Sequence, residues 1–273
     1  MANNVSKHHH NRVYPDFSLK DKVYVVTGGG RGLGLCMAEA MTEAGAEVHC
    51  LDRLLQPVPE FVATQELADR SHVGSLHYHH VDVRDSKFLN DTIADIAAKN
   101  HRLDGLVAAA GVQQIMPAID YTAEDITKIM DINYTGAFMT AQAVARQMMA
   151  YSCHGAIVLI ASMSGLIANR GLISPAYNSS KAALIQLGRN LAMEWGKDGI
   201  RVNSLSPGHI VTPMVEKNFE EVPGLDKIWM NENMLGRLAK PEEFTGAAIF
   251  MLSKASSFMT GSNIVIDGGH TAW

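Results

Sequence analysis
An α/β fold, a single domain with a doubly wound parallel sheet and helices on both faces, is what this sequence predicts, on three observations. Short apolar runs of strand length alternate with segments of helical period along nearly the whole chain. The first such run, Lys22-Val23-Tyr24-Val25-Val26-Thr27, empties into a glycine-rich turn ending at Gly34, from which a helical pattern departs. The 273 residues are 47% hydrophobic and 19% charged, enough apolar material to fill both sides of one sheet. Strand–helix alternation of this kind requires parallel pairing through right-handed crossovers.

Residues 1–18 are polar and without period, which predicts a flexible arm ahead of one domain over 19–273. After the strand at 22–27, a helix is expected over 32–44 and a second strand over 46–52. A loop at 54–59 leads to a short helix over 60–70, and Leu76 to Val81 makes the third strand. A helix over 86–99, a strand over 105–109 and a long helix over 122–150 follow. Ala156 to Ala161 is an unbroken apolar run, the mark of a strand buried on both faces. Ser174-Pro175 then reads as a cap followed by proline in the first helical turn, opening a helix that carries Tyr177. Arg201 to Leu205 is the next strand. From about 208 to 240, Pro and Gly interrupt short apolar pieces over a length beyond an ordinary connection, so a substrate loop with short helices is expected there. Pro241-Glu242-Glu243 starts the last helix, and Asn263 to Ile266 is the last strand, before Asp267-Gly268-Gly269.

A net charge of −5 offers no broad basic surface, which excludes nucleic acid and anionic membranes as expected partners. No apolar run approaches the ~18 residues of a membrane span, and Met1 to Lys7 lacks the apolar centre of a secretory signal; a soluble, cytoplasmic protein is expected. Cys36, Cys50 and Cys153 are odd in number and lack metal-ligand spacing, and Cys36 and Cys50 are expected to be buried as small apolar residues. His8-His9-His10 lies in the arm, and His77, His79 and His80 alternate across both faces of one strand, so no metal site is expected.

Two stretches carry chemistry. In the first turn, Gly28 permits the tight bend, Gly32 lets backbone N–H groups approach a pyrophosphate, and Gly34 lets the helix pack closely, with its positive dipole end facing the anion. Asp52 ends the second strand, where a carboxylate hydrogen-bonds ribose hydroxyls and repels a 2′-phosphate. That favours NAD, with NADP the alternative because Arg31 and Arg53 are cations able to accept the phosphate. Asp82 is placed to accept from an adenine amino group. In the second stretch, Tyr177 and Lys181 stand four apart on one helical face, which sets an ammonium beside a phenol. That charge is expected to lower the phenol's pKa from ~10 toward neutrality, making Tyr177 a proton donor or acceptor at a carbinol or carbonyl.

With Asn133, Ser162 and Pro207-Gly208 in order between and after these, the chain resembles the short-chain dehydrogenase/reductase family from Lys22 to Gly269. Within that family it looks most like fungal ketose, polyol and related carbonyl reductases, through Ile160-Ala161-Ser162-Met163-Ser164-Gly165 and Glu232 to Arg237. The resemblance implies a Rossmann-like fold, with Tyr177 as general acid/base, Lys181 lowering its pKa and binding the nicotinamide ribose, and Ser162 polarising the substrate oxygen. It implies that Asn133 holds a water linking Lys181 to solvent and that Thr212 binds the nicotinamide carboxamide. The implied cofactor site comprises Gly28, Arg31, Gly32, Leu33, Gly34, Asp52, Asp82, Val83, Gly111, Tyr177, Lys181, Pro207, Gly208 and Thr212. Two departures stand out. Ala108-Ala109-Ala110-Gly111 replaces the family's Asn-Asn-Ala-Gly or Asn-Ala-Ala-Gly, removing a side-chain amide, and Ser164 lies nearer the usual spacing to Tyr177 than Ser162 does. Ser162 is favoured because it directly ends the apolar strand, with Ser164 the alternate.

The expected activity is interconversion of a secondary alcohol and a ketone by hydride transfer, on a polyol or ketose. A natural-product ketone in secondary metabolism and a non-catalytic dinucleotide sensor are the alternatives. Polar Asn231, Glu232 and Asn233 suit the first substrate class; Ile167, Met214, Phe219 and Trp229 suit an apolar ketone. The apolar segment from Met259 to Trp273 points to subunit contacts, and the resemblance implies a homotetramer or homodimer.

Overall fold
A computed structural model describes residues 14–170, 172–212, 215–216, 219 and 223–273. Most of the expected arm, with His8-His9-His10, lies outside the described residues, as does Met214. Seven parallel strands form one sheet in the order β3-β2-β1-β4-β5-β6-β7. They are β1 (Val23–Thr27), β2 (Glu47–Asp52), β3 (Ser75–His80), β4 (Gly105–Ala108), β5 (Gly155–Ile160), β6 (Ile200–Pro207) and β7 (Asn263–Ile266). The helices are α1 (Gly32–Glu43), α2 (Pro59–Ser71), α3 (Ser86–Asn100), α4 (Ala123–Met130), α5 (Ala137–Ala150), α6 (Pro175–Trp195), α7 (Leu225–Glu232) and α8 (Thr245–Leu252).

Strand alternation explains why the central strands read as continuous apolar runs. Val23 and Val25 enter the core under α3, α5 and α6 with Ile93, Val144 and Leu184. Tyr24 and Val26 face the opposite core with Met37 and Met41 of α1, Phe61 of α2 and Met251 of α8. Each such fully buried side chain contributes about 1.5–3 kcal/mol relative to exposure, so the sheet is held from both sides. Among the described residues all three cysteines are free. Cys50 is buried and Cys36 is half-buried, with burial pushing the Cys36 thiol up to about 11.

The long helix expected over 122–150 is broken. A π-helical turn, Asp131–Gly136, separates α4 from α5. The wide turn accommodates the fully buried Asn133 amide, and it ends at Gly136, where a Cβ would lie 2.6 Å from Val83 Cγ2. Apolar periodicity cannot show such a break, because the flanking turns keep their buried faces. Ser174 also departs from expectation. Its hydroxyl donates to Asn178 Oδ1 at 3.1 Å and makes no capping bond to α6.

Candidate active site
Because β1 and β4 are neighbours while the chain runs outward to β3 on one side and β7 on the other, the topological switch point, where a sheet of this kind forms its ligand crevice, lies at the carboxyl ends of β1 and β4. The glycine turn lies at this point. Gly28 and Gly32 have φ of 68° and 59°, a region that favours glycine. A Cβ on Gly34 would stand 2.2 Å from Gly28 O, so α1 packs directly on the turn, whereas a Cβ on Gly32 would meet open space. The N-terminus of α1, flanked by exposed Arg31, has neither a side-chain cap nor an acidic residue in its first turn. Its first-turn N–H groups therefore have no side-chain cap, which fits a pyrophosphate. Leu33 packs against the core on the α1 side.

Asp52 is buried at the end of β2, where its carboxylate accepts from Gly30 N–H at 3.1 Å and Leu54 N–H at 3.2 Å. Arg53 beside it is exposed. Asp82 accepts from Arg84 Nε at 3.0 Å, and this bond holds its carboxyl below the usual range; Val83 next to it is buried. Across the crevice, Gly208 follows β6, and a Cβ there would lie 2.6 Å from Asp267 Cα, so glycine is required by the close approach of the segment after β7. Pro207 pairs with Ile266 in the same register. Thr212 Oγ1 accepts from Val215 N–H at 3.4 Å, at the start of the substrate loop.

The second cluster lies at the carboxyl end of β5. Ser162 follows the strand, and its Oγ accepts from Ser164 N–H at 3.1 Å. Ser164 is buried behind that turn. Lys181 Nζ stands 5.6 Å from the centre of the Tyr177 ring and donates to Ile160 O at 2.8 Å. A Cβ on Gly111 would be 3.4 Å from both Lys181 Nζ and Asn133 Oδ1, which brings the end of β4 against the same cluster. Both ends of the Asn133 amide are bonded: Oδ1 accepts from Val112 N–H at 2.8 Å, and Nδ2 donates to Val112 O at 2.9 Å and Ser180 Oγ at 3.0 Å.

The electrostatics reverse one expectation. Burial raises the Tyr177 pKa above its ordinary value, and the Ser162 hydroxyl only partly offsets it. Burial also brings Lys181 down to about 8. Desolvation, absent from any spacing argument, is the largest influence on both groups.

A family model described as enoyl-(acyl carrier protein) reductase matches residues 28–271. The short-chain dehydrogenase/reductase notP′ of Aspergillus versicolor is 40% identical over 262 residues, covering 94% of this chain and 89% of the relative. The chain belongs to the short-chain dehydrogenase/reductase family. The galactitol 2-dehydrogenase of Rhizobium johnstonii, also 40% identical, is covered over 98% of its length and covers 94% of this chain. A Burkholderia cenocepacia gluconate 5-dehydrogenase solved with NADP and tartrate superposes with a TM-score of 0.83 at 30% identity, with 94% of this chain and 98% of that one covered.

In this short-chain dehydrogenase/reductase the Ala108-Ala109-Ala110-Gly111 segment is held to Thr27 at the end of β1. Ala109 N–H donates to Thr27 O at 3.2 Å and Ala110 N–H to Thr27 Oγ1 at 3.3 Å. Two features escaped the sequence. Asn169, on the loop between Ser162 and Tyr177, has a buried Nδ2 without a partner among the described residues, although its Oδ1 accepts from Asn178 Nδ2 at 3.1 Å. Trp229, one of the residues suited to an apolar ketone, is 2% exposed and stacked on His209 with ring centres 4.0 Å apart. Unsatisfied donors and ring stacking depend on tertiary neighbours and leave no local pattern.

Proposed function
We propose that this chain is an NAD-dependent oxidoreductase that interconverts a secondary alcohol and a ketone, with a polyol or ketose as substrate. The observation that carries the reading is the convergence of Ser162, Tyr177 and Lys181 with Gly111 beside the crevice of the glycine turn. The groups present fit a dinucleotide: an uncapped helix N-terminus, open space at Gly32 and the Asp52 carboxylate at the strand end. Bound nicotinamide supplies the hydride. Ser162 donates to the substrate oxygen and polarises it. Tyr177, held as a neutral phenol, gives its proton to that oxygen in reduction and takes it back in oxidation. Lys181 orients the nicotinamide ribose. Asn133, whose amide fixes the Val112 backbone and Ser180, holds the water that links Lys181 to solvent. Thr212, Pro207, Gly208, Asp82 and Val83 complete the cofactor walls.

The likeness to a galactitol 2-dehydrogenase, 40% identical over 94% of this chain, supports the polyol or ketose class. Among the described residues no helix is long and apolar enough to cross a membrane, and a cytoplasmic enzyme is part of this reading. Phe258 and Trp273 are exposed near the C-terminus, which supports a homotetramer or homodimer.

A spectrophotometric screen of sugar alcohols, ketoses and polycyclic ketones with both nucleotides tests the proposal. Turnover of polyols or ketoses with NAD(H) is expected; activity confined to apolar ketones would overturn the substrate class. Asp52→Ser is expected to weaken NADH binding by about tenfold, the value of one charge-assisted hydrogen bond at ~1.5 kcal/mol, and to improve NADPH binding by removing a like charge. Titration of both reduced nucleotides by fluorescence reads this out, and a clear NADPH preference in the unmodified chain contradicts the role given to Asp52.

A further inference from the structure
Two groups of metal-ligating side chains stand apart from the Tyr177 cluster. In the first, Glu47 and His49 on β2 meet His77 and His79 on β3 across the parallel register. That set closes on itself: His49 Nε2 lies 2.9 Å from Glu47 Oε1, and its Nδ1 lies 2.9 Å from His79 Nε2. The second group does not close.

His209 follows β6, Glu232 ends α7 in the substrate loop, and His270 follows β7, yet each places a ligand atom within 4.8 Å of the other two. His209 stacks on Trp229 and meets His270 edge-on, with ring centres 5.3 Å apart. Trp229 and Glu232 are three apart on α7 and share a face, so the stacking brings the carboxylate over the two imidazoles. His270 is 9% exposed and Asn233, next to Glu232, is 5% exposed; Nδ1 of the first and Oδ1 of the second are buried with no partner among the described residues. Asn233 Nδ2 is already committed to Arg237 O at 3.0 Å. A buried polar atom without a partner is costly, and the one on His270, a member of the His–Glu–His set, points to something it binds.

We propose that His209, Glu232 and His270 hold a divalent transition-metal ion of the zinc class, which ties the substrate-loop helix to the carboxyl end of the sheet. Two imidazoles and one carboxylate are ligands such an ion accepts in tetrahedral geometry, with the remaining position taken by water. The ion would anchor α7 against β6 and β7 without touching Tyr177, so the inference does not rest on the reaction proposed above.

The test uses the full chain with His8, His9 and His10 replaced by Ser, stripped with chelator and titrated with Co²⁺. One equivalent per chain with visible ligand-field absorption is expected, and Zn²⁺ should displace it and raise the Tm. Glu232→Gln, at a half-exposed position that keeps the fold, and His270→Ala should each weaken Co²⁺ binding by at least about 100-fold, the upper end for loss of an outer-shell partner. Absence of saturable binding, binding unchanged in both variants, or binding lost in Glu47→Gln instead would each overturn the proposal.

Discussion

Tyr177→Phe is expected to lower turnover by about 10³-fold while leaving nucleotide affinity within about twofold of the unmodified chain. The substitution removes one oxygen and keeps the ring, so the packing over Lys181 at 5.6 Å is preserved. What is lost is the proton. Because burial holds the Tyr177 phenol above its ordinary pKa, the group is protonated throughout the neutral range and can donate to a carbonyl oxygen at once. Oxidation needs the deprotonated form, so the rate of alcohol oxidation should rise with pH through the alkaline range while ketone reduction does not. Steady-state rates in both directions from pH 6 to 10, with nucleotide titrations of the variant, check this. A variant that keeps turnover, or loses nucleotide binding while turning over, contradicts the assignment, and an oxidation rate falling with pH contradicts the protonation state.

Lys181→Met is expected to abolish turnover and at the same time make the nucleotide-free protein more stable. The ammonium is 4% exposed, and its described acceptor is Ile160 O. Burial lowers its pKa from 10.5 to about 8, which corresponds to roughly 3 kcal/mol of unfavourable interaction with the charged form. Methionine fills similar space without the charge, and losing the bond to Ile160 O returns about 1–2 kcal/mol of that gain. A net stabilisation of about 1–2 kcal/mol, or a Tm higher by roughly 2–6 °C, should remain at pH 7. The sign with pH follows from proton binding. Between about 8 and 10.5 the unfolded chain binds more protons at this lysine than the folded one, so the stability of the unmodified protein rises with pH there and the advantage of the variant shrinks. Thermal denaturation at pH 7 and pH 10 reads both effects; a less stable variant, or a difference independent of pH, would show that the lysine is not held at a cost.

Much of this architecture is legible in the residues. Val23 to Thr27 and Ala156 to Ile160 sit under helices on both faces, so their apolar runs carry no alternation to misread. The glycine turn is legible because its geometry forbids side chains: Gly28 at φ 68° and Gly34 against Gly28 O leave no room for another residue. The helical spacing of Tyr177 and Lys181 put them on one face, and the fold keeps them together. The π turn at Asp131–Gly136 was not legible, since it depends on Asn133 finding Val112, 21 residues away, and Ser180, 47 away.

The sequence by itself determined the order of strands and helices, the glycine turn and the identity of the groups able to move a proton, because these follow from local sterics and from the 2.0 and 3.6 periods. Only the tertiary structure decided the protonation of Tyr177, the partners of Asn133 and the meeting of His209 with Glu232 and His270. Desolvation and contact between segments far apart in the chain are properties of the packed interior, and no stretch of residues carries them alone.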